Sequence, residues 1–239
     1  MIFFDIDGTL MDNEAAERAA AVEFHRFHRG VFPESPEEFV DSWRATAEKY
    51  VRRYLSGELS FQGQRQERLK ELFAHIRHLS DTEADSLFEA YLDCYEKSWS
   101  LFSDVESCLE RITGFGLGII SNGDSYQQRQ KLTALGLIDR FSVITISGEV
   151  GVSKPNPQIF LDACRAAGAN PADCWHIGDD LETDVHGCIS AGIRGIWLNR
   201  RGMGSCEGVP MIRSLLELKA VIGSYNQSEH PIAQTAGSG

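Results

Sequence analysis

Ile2-Phe3-Phe4-Asp5-Ile6-Asp7-Gly8-Thr9 lies at the start of the chain, and its reading decides the fold. A short apolar run broken by one acid and closed by glycine predicts a buried strand that delivers its last side chains into a turn. Four similar runs follow at residues 117–121, 143–147, 174–178 and 195–198, each continuous rather than alternating. Continuous apolar runs suit parallel strands covered on both faces. Helical patterns lie between the later runs. Residues 125–135 close at Gly136, residues 157–167 follow an Asn156-Pro157 start and end at Gly168, and residues 182–191 stop at Gly192. Strand and helix alternating in this way predict an α/β fold, a doubly wound parallel sheet with right-handed crossovers. In such a sheet, ligands bind beyond the carboxyl ends of the strands.

Residues 14–101 break the alternation. They carry no strand pattern, only helix-like stretches rich in Ala, Glu, Arg and aromatics, with breaks near 30–36, 56–60 and 79–81. Four helices in antiparallel pairs account for them. Because this stretch falls between the first and second strands, it reads as an inserted all-helical domain, leaving 1–13 and 102–223 for the core. Residues 224–239 are polar, small and aperiodic, and are expected to be a disordered tail.

The chain has 239 residues, with 23 Lys and Arg against 35 Asp and Glu, a formal charge of −12. That field opposes non-specific binding to nucleic acid polymers or anionic lipid, and no apolar run reaches the ~20 residues of a membrane-spanning helix. The opening residues hold two aspartates and no basic cluster, so no secretory signal is expected. None of the six cysteines forms a Cys-x-x-Cys pair or a zinc spacing with histidine. The expectation is reduced thiols in a cytoplasmic protein, monomer or homodimer.

Four constellations carry chemistry. In Asp5-Ile6-Asp7-Gly8-Thr9 the two carboxylates are two residues apart on a strand and share a face, where they repel unless a cation or shared proton intervenes. Ser121-Asn122-Gly123 places a hydroxyl and free amides at a helix opening, which suits an anion or an ordinary cap. Lys154, in Ser153-Lys154-Pro155-Asn156-Pro157, reads either as a solvated surface lysine or as the cation for a phosphate or carboxylate. Gly178-Asp179-Asp180-Leu181-Glu182-Thr183-Asp184 supplies oxygen ligands for a hard cation such as Mg²⁺, or an acidic helix start. Each has an ordinary structural explanation alone. Together they fall on one edge of the predicted sheet, which surface accidents would not share.

As an ordered set, Asp5-x-Asp7-Gly8-Thr9, Ser121-Asn122, Lys154-Pro155 and Gly178-Asp179-x-x-x-x-Asp184 resemble the four motifs of the haloacid dehalogenase-like hydrolase superfamily. The resemblance implies a Rossmann-like core with a helical cap. It implies that Asp5 is a nucleophile forming an aspartyl-phosphate and that Asp7 is the general acid/base. Thr9, Ser121, Asn122, Gly123 and Lys154 would meet the substrate. Asp5, Asp7 through its carbonyl, Asp179 and Asp184 would surround Mg²⁺, with Asp184 bracing Lys154 or a metal-bound water. The acid at position 7 argues against dehalogenase and phosphonate-cleaving relatives, which lack it, and for a phosphomonoesterase acting on a small phosphorylated metabolite. A phosphomutase, or a regulatory module that binds Mg²⁺ and phosphate without turnover, is the alternative. The stretches around 121–128 and 147–156 are similar to nucleotidase-like members, which points to a nucleoside monophosphate or a comparably small ester. Trp43, Tyr50, Arg52, Arg53, Tyr54 and Trp99 could meet it, although helical aromatics more often build core.

Overall fold

A computed structural model of the chain describes residues 1–202 and 204–229. Among these residues, β1 (Ile2–Phe4), β2 (Leu117–Ser121), β3 (Val143–Ile146), β4 (Trp175–Gly178), β5 (Arg194–Leu198) and β6 (Met211–Ile212) form one sheet. Its order is β3-β2-β1-β4-β5-β6 and every pairing is parallel. The chain winds outward from β1 through β2 to β3, then restarts on the other flank of β1 with β4. This reversal opens a crevice at the carboxyl ends of β1, β2 and β4. The expected α/β class is therefore present, with β6 added; two residues are too few to show a periodic pattern.

The long insertion after β1 forms α1 (Asn13–Phe27), α2 (Pro36–Leu55), α3 (Phe61–Phe73) and α4 (Asp81–Lys97). Neighbours in sequence pack together and α1 also packs on α4. Their starts follow local chemistry. Ser35 with Glu38 and Ser80 with Glu83 are reciprocal capping boxes, and Pro36 occupies the first turn of α2. Phe24, Phe39, Trp43, Phe88 and Tyr91 are buried between the helices, so Trp43, like the buried Tyr50, belongs to packing.

The remaining helices are α5 (Val105–Arg111), α6 (Ser125–Ala134), α7 (Ser147–Val150), α8 (Pro157–Ala166), α9 (Gly187–Ser190) and α10 (Leu218–Glu229). The helix expected over 182–191 is a π-helical turn, Leu181–His186, running into α9. Asp180 starts it by accepting from the Glu182 and Thr183 amides at 3.0 and 2.8 Å. The tail expected from Ser224 is helical as far as Glu229, because α10 is anchored by the buried Leu218 and Ile222. Residues 230–239 lie outside the described residues. Phe3, Ile120, Ile159, Phe160, Ala163, Cys164 and Cys174 form the sheet-side core.

The chain divides into two compact units. One comprises Met1–Leu10, Leu101–Gly123 and Asp139–Gly239, the other Met11–Ser100 and Asp124–Ile138. The expected division kept 124–138 with the sheet. Instead α6 joins the helical unit, where Gln130 Nε2 donates to Glu96 at 3.4 Å and Lys131 Nζ stands 5.6 Å from the Tyr95 ring. Among the described residues no helix is long and apolar enough to cross a membrane.

Candidate active site

Every residue of the site belongs to the sheet-containing unit. Asp5 follows β1 directly and stays in register, its N–H donating to Ile177 O of β4 at 3.0 Å. That placement buries the carboxylate beneath the crevice, where Asp5 is 6 % exposed. Lys154 reaches it from the loop after β3. Its ammonium donates to Asp5 Oδ1 at 2.7 Å, to Asp184 Oδ1 at 2.6 Å and to the Ile120 carbonyl of β2 at 3.0 Å. A lysine only 5 % exposed with three oxygen acceptors is no surface residue.

The Lys154 loop is itself held. Lys154 N–H donates to Asn122 Oδ1 at 2.7 Å, and Asn122 Nδ2 donates to the Lys154 carbonyl at 3.0 Å. Asn122, expected to meet substrate, thus pins two loops together. Gly123 is held in the same way, its N–H donating to Ser147 Oγ at 2.9 Å. Thr9 is fully buried and its hydroxyl donates to Asp179 Oδ1 at 3.3 Å, so it braces an acid instead of lining the crevice. Ser121 does line it, with Asp5, Asp7, Asn122, Lys154, Asp179, Asp180, Thr183 and Asp184, around about 240 Å³.

Asp184 is the most completely engaged acid. Besides Lys154, its Oδ1 accepts from His176 Nε2 at 3.1 Å, and its Oδ2 accepts from the Asp180 N–H at 3.2 Å. A carboxylate can only accept, so Nε2 carries the proton and Nδ1, which has no partner, is bare. Burial holds the imidazole below its usual range and so neutral. Burial alone would raise Asp184, but Lys154 and His176 hold it well below the carboxylate range. Burial opposes charge on Lys154 too, and the two acids overcome it and raise the ammonium.

Asp5 and Asp179 differ. Burial pushes Asp5 up to about 7, against the pull of Lys154 and with the added repulsion of Asp184 and Asp7. Asp179 is exposed as a residue, while its carboxylate accepts from the enclosed Thr9 hydroxyl. That enclosure, then the charges of Asp5 and Asp184, push it up to about 8. One lysine therefore cannot satisfy the acids around it. Oxygens of Asp5, Asp179 and Asp184 come within 4.8 Å of one another, a hard donor set that fits Mg²⁺. Gly8 makes the approach feasible. Its φ is +82°, and a Cβ there would lie 2.3 Å from Asp179 Oδ2.

Three supporting residues escape the motif reading. His176 sits in β4 two residues before Gly178, on the same face, a spacing that could have revealed it. Trp197 Nε1 donates to the Asp179 carbonyl at 2.9 Å, and Arg200 Nη2 donates to the Thr9 carbonyl at 2.8 Å. No local pattern announces either.

A parallel α/β sheet that gathers three acids and a lysine at its switch point is laid out as an enzyme site. The family model for haloacid dehalogenase-like hydrolases matches residues 1–192, and the chain belongs to that family. It is 28 % identical to N-acylneuraminate-9-phosphatase of Rattus norvegicus over 235 residues, 94 % of each chain. It is 36 % identical over 148 residues to pyrimidine 5'-nucleotidase YjjG of Escherichia coli, 59 % of this chain and 65 % of that one. The fold matches the HAD-hydrolase YfnB of Bacillus subtilis, solved bound to magnesium, with a TM-score of 0.76 at 23 % identity, covering 92 % of this chain and 97 % of that one.

Proposed function

We propose that the protein is a Mg²⁺-dependent phosphatase that hydrolyses a small organic phosphomonoester through an aspartyl-phosphate on Asp5. The observation that carries this reading is the Lys154 ammonium, 2.7 Å from Asp5 and 2.6 Å from Asp184, in a cleft shared with Asp7 and Asp179. Asp5, Asp179 and the Asp7 carbonyl would hold Mg²⁺, which supplies the positive charge that lets a carboxylate approach a phosphate dianion.

An Asp5 oxygen bonds to phosphorus as the ester P–O bond breaks, and Asp7 gives its proton to the departing alkoxide. Asp7, now ionised, takes a proton from water, whose oxygen attacks phosphorus and returns Asp5 as carboxylate with release of phosphate. Ser121 Oγ and the backbone beside it hold phosphoryl oxygens. Lys154 balances charge on Asp5 and the phosphoryl group, and Asp184 with His176 keeps that ammonium charged and aimed. Local positive charge outweighs a net −12 field that salt screens over ~8 Å.

In this reading residues 14–101 are the cap that chooses the leaving group. The match along 94 % of both chains favours an acylated sugar-acid phosphate, with nucleoside monophosphates next. The test is phosphate release from N-acetylneuraminate 9-phosphate, pyrimidine nucleoside 5'-monophosphates and phosphoserine, with Mg²⁺ and with chelator. Release should require Mg²⁺ and vanish in Asp5→Asn; retained turnover in that variant, or sugar-phosphate isomerisation in place of release, would overturn the reading.

A further inference from the structure

Outside the crevice, the sheet-containing unit brings together three side chains that the proposed reaction does not use. Glu182 and His186 stand about one turn apart on the π-helical segment Leu181–His186, and Cys206 lies in the loop between β5 and β6. Glu182 Oε1 is 3.1 Å from His186 Nδ1, and Cys206 Sγ is 3.8 Å from His186 Nε2. All three are open to solvent: Glu182 and His186 are exposed and Cys206 is half-buried.

A carboxylate only accepts, so in the neutral imidazole Nδ1 carries the proton and Nε2 presents a lone pair to the sulfur. A carboxylate on one ring nitrogen and a cation on the other is how a metal-binding histidine is held in tautomer and orientation. The spacing agrees. Zn²⁺ takes sulfur at about 2.3 Å and imidazole nitrogen at about 2.0–2.1 Å in a tetrahedral array, which sets two such donors about 3.6 Å apart. The observed 3.8 Å is close to that span. The pair can hold a proton, as an S–H···N bond, or a cation in its place. The Glu207 carbonyl stands 4.0 Å from the same sulfur, and water can fill the remaining positions. This donor set is soft where the crevice is hard: thiolate and imidazole select Zn²⁺ over Mg²⁺, whereas the oxygens of Asp5, Asp179 and Asp184 suit Mg²⁺.

We propose that His186 and Cys206 are ligands of a thiophilic divalent cation such as Zn²⁺, with Glu182 orienting the imidazole. On binding, the Cys206 thiol gives its proton to solvent, a sulfur–metal bond forms, and Nε2 shares its lone pair with the same ion; no electron is transferred. The cation ties the turn that carries Asp184 to the loop between β5 and β6. Closed structural zinc sites use four protein ligands, so two ligands with water beside them make a site that loads and unloads with the metal supply. The inference stands on these residues and does not need the phosphatase reading.

The test titrates the full chain, reduced and in excess Mg²⁺, with Cd²⁺, whose bond to a thiolate gives an ultraviolet charge-transfer band that carboxylate ligands cannot give. The band should saturate at one Cd²⁺ per chain and be displaced by Zn²⁺ but not by further Mg²⁺. Cys206→Ser should remove it, whereas Cys94→Ser, at the other cysteine that is not buried, should keep it. His186→Gln should weaken Cd²⁺ binding at least tenfold, and Glu182→Gln about tenfold, as for loss of the group that orients a ligand. The proposal is overturned if no band appears, if the band survives Cys206→Ser, or if His186→Gln binds Cd²⁺ as tightly as the parent, which would leave a lone thiol. The Glu182 side chain is 78 % exposed and can be changed without loss of packing, so unchanged affinity in Glu182→Gln overturns the proposal by itself.

Discussion

Removing the ammonium of Lys154 tests the electrostatics of the whole site. Lys154→Met keeps most of the buried stem but leaves Asp5 and Asp184, with side chains 8 % and 2 % exposed, facing each other without a cation. At 2.7 and 2.6 Å, with an effective dielectric near 20, each contact carries about 6 kcal/mol of attraction. Desolvation of the ions offsets much of that, and deleting one partner of a buried pair typically destabilises by about 3–5 kcal/mol. At about 2–4 °C per kcal/mol for a chain of this length, the melting midpoint in chelator at neutral pH should fall by roughly 10 °C.

The loss should have a particular pH dependence, because Asp5, already pushed up to about 7, rises further without the lysine and protonates more readily. The deficit of Lys154→Met should shrink as pH falls from the alkaline side toward about 7, where a neutral Asp5 no longer opposes Asp184 in the variant. A double-mutant cycle completes the test by urea denaturation. Lys154→Met/Asp184→Asn should be less unstable than the two single losses summed, by at least about 1 kcal/mol. Additive losses, or a Lys154→Met midpoint within about 2 °C of the parent, would refute the claim that one ammonium holds two buried acids.

Three other outcomes follow from the same geometry. Without Mg²⁺, folded Asp5 and Asp179 keep protons up to about 7 and about 8 that the unfolded chain releases near 3.8, so stability falls as pH rises between those values. The rise in melting midpoint on adding saturating Mg²⁺ should therefore grow from about pH 5 to about pH 8, and a rise independent of pH refutes the linkage. Gly8→Ala should destabilise by more than Gly57→Ala: both glycines have φ near +80°, but only at Gly8 does a Cβ meet an acid, Asp179, and only there should Mg²⁺ binding by calorimetry be lost. Arg200→Met removes bonds of 2.9 and 3.0 Å to Asp104 and 2.8 Å to Thr9 O, for a loss of about 2–3 kcal/mol in urea; full stability in Arg200→Lys would show that the fork geometry does not matter.

The strand carrying Asp5, the loops carrying Lys154 and Asp179, and the four-helix insertion were legible because each is written locally. A continuous apolar run, a Pro or Ser start and a Gly stop are all decided within a few residues. Helix boundaries such as Pro36 and Asp81 follow from caps that need no tertiary information. What stayed hidden depends on partners distant in sequence. Nothing near Thr9 or Gly123 in sequence announces their bonds to Asp179 and Ser147, 170 and 24 residues away. The assignment of α6 to the helical unit rests on Glu96 and Tyr95, which no pattern within 125–134 mentions. Arg52 and Arg53 stood out in the sequence where Arg68 did not, yet burial reverses the order: Arg68 is enclosed, Arg52 is exposed.

Two buried cations make the contrast that organises this molecule. Lys154 and Arg68 are 5 % and 6 % exposed, each in an interior that penalises charge, yet their surroundings are opposite. Lys154 has two carboxylates and a carbonyl within 3.0 Å and is balanced before any ligand arrives. In the proposed reading it holds Asp5 in place, while Asp5 and Asp179 keep protons that a metal would displace. Arg68 has rings on its faces and nothing on its Nε/Nη2 edge. A positive charge fully matched by the chain is structural and its removal must cost stability, whereas one left unmatched at the same depth weakens the protein that carries it. The signs of the two melting shifts, downward for Lys154→Met and level or upward for Arg68→Met, therefore separate a matched buried charge from an unmatched one, and a fall for Arg68→Met as large as that for Lys154→Met would refute the distinction.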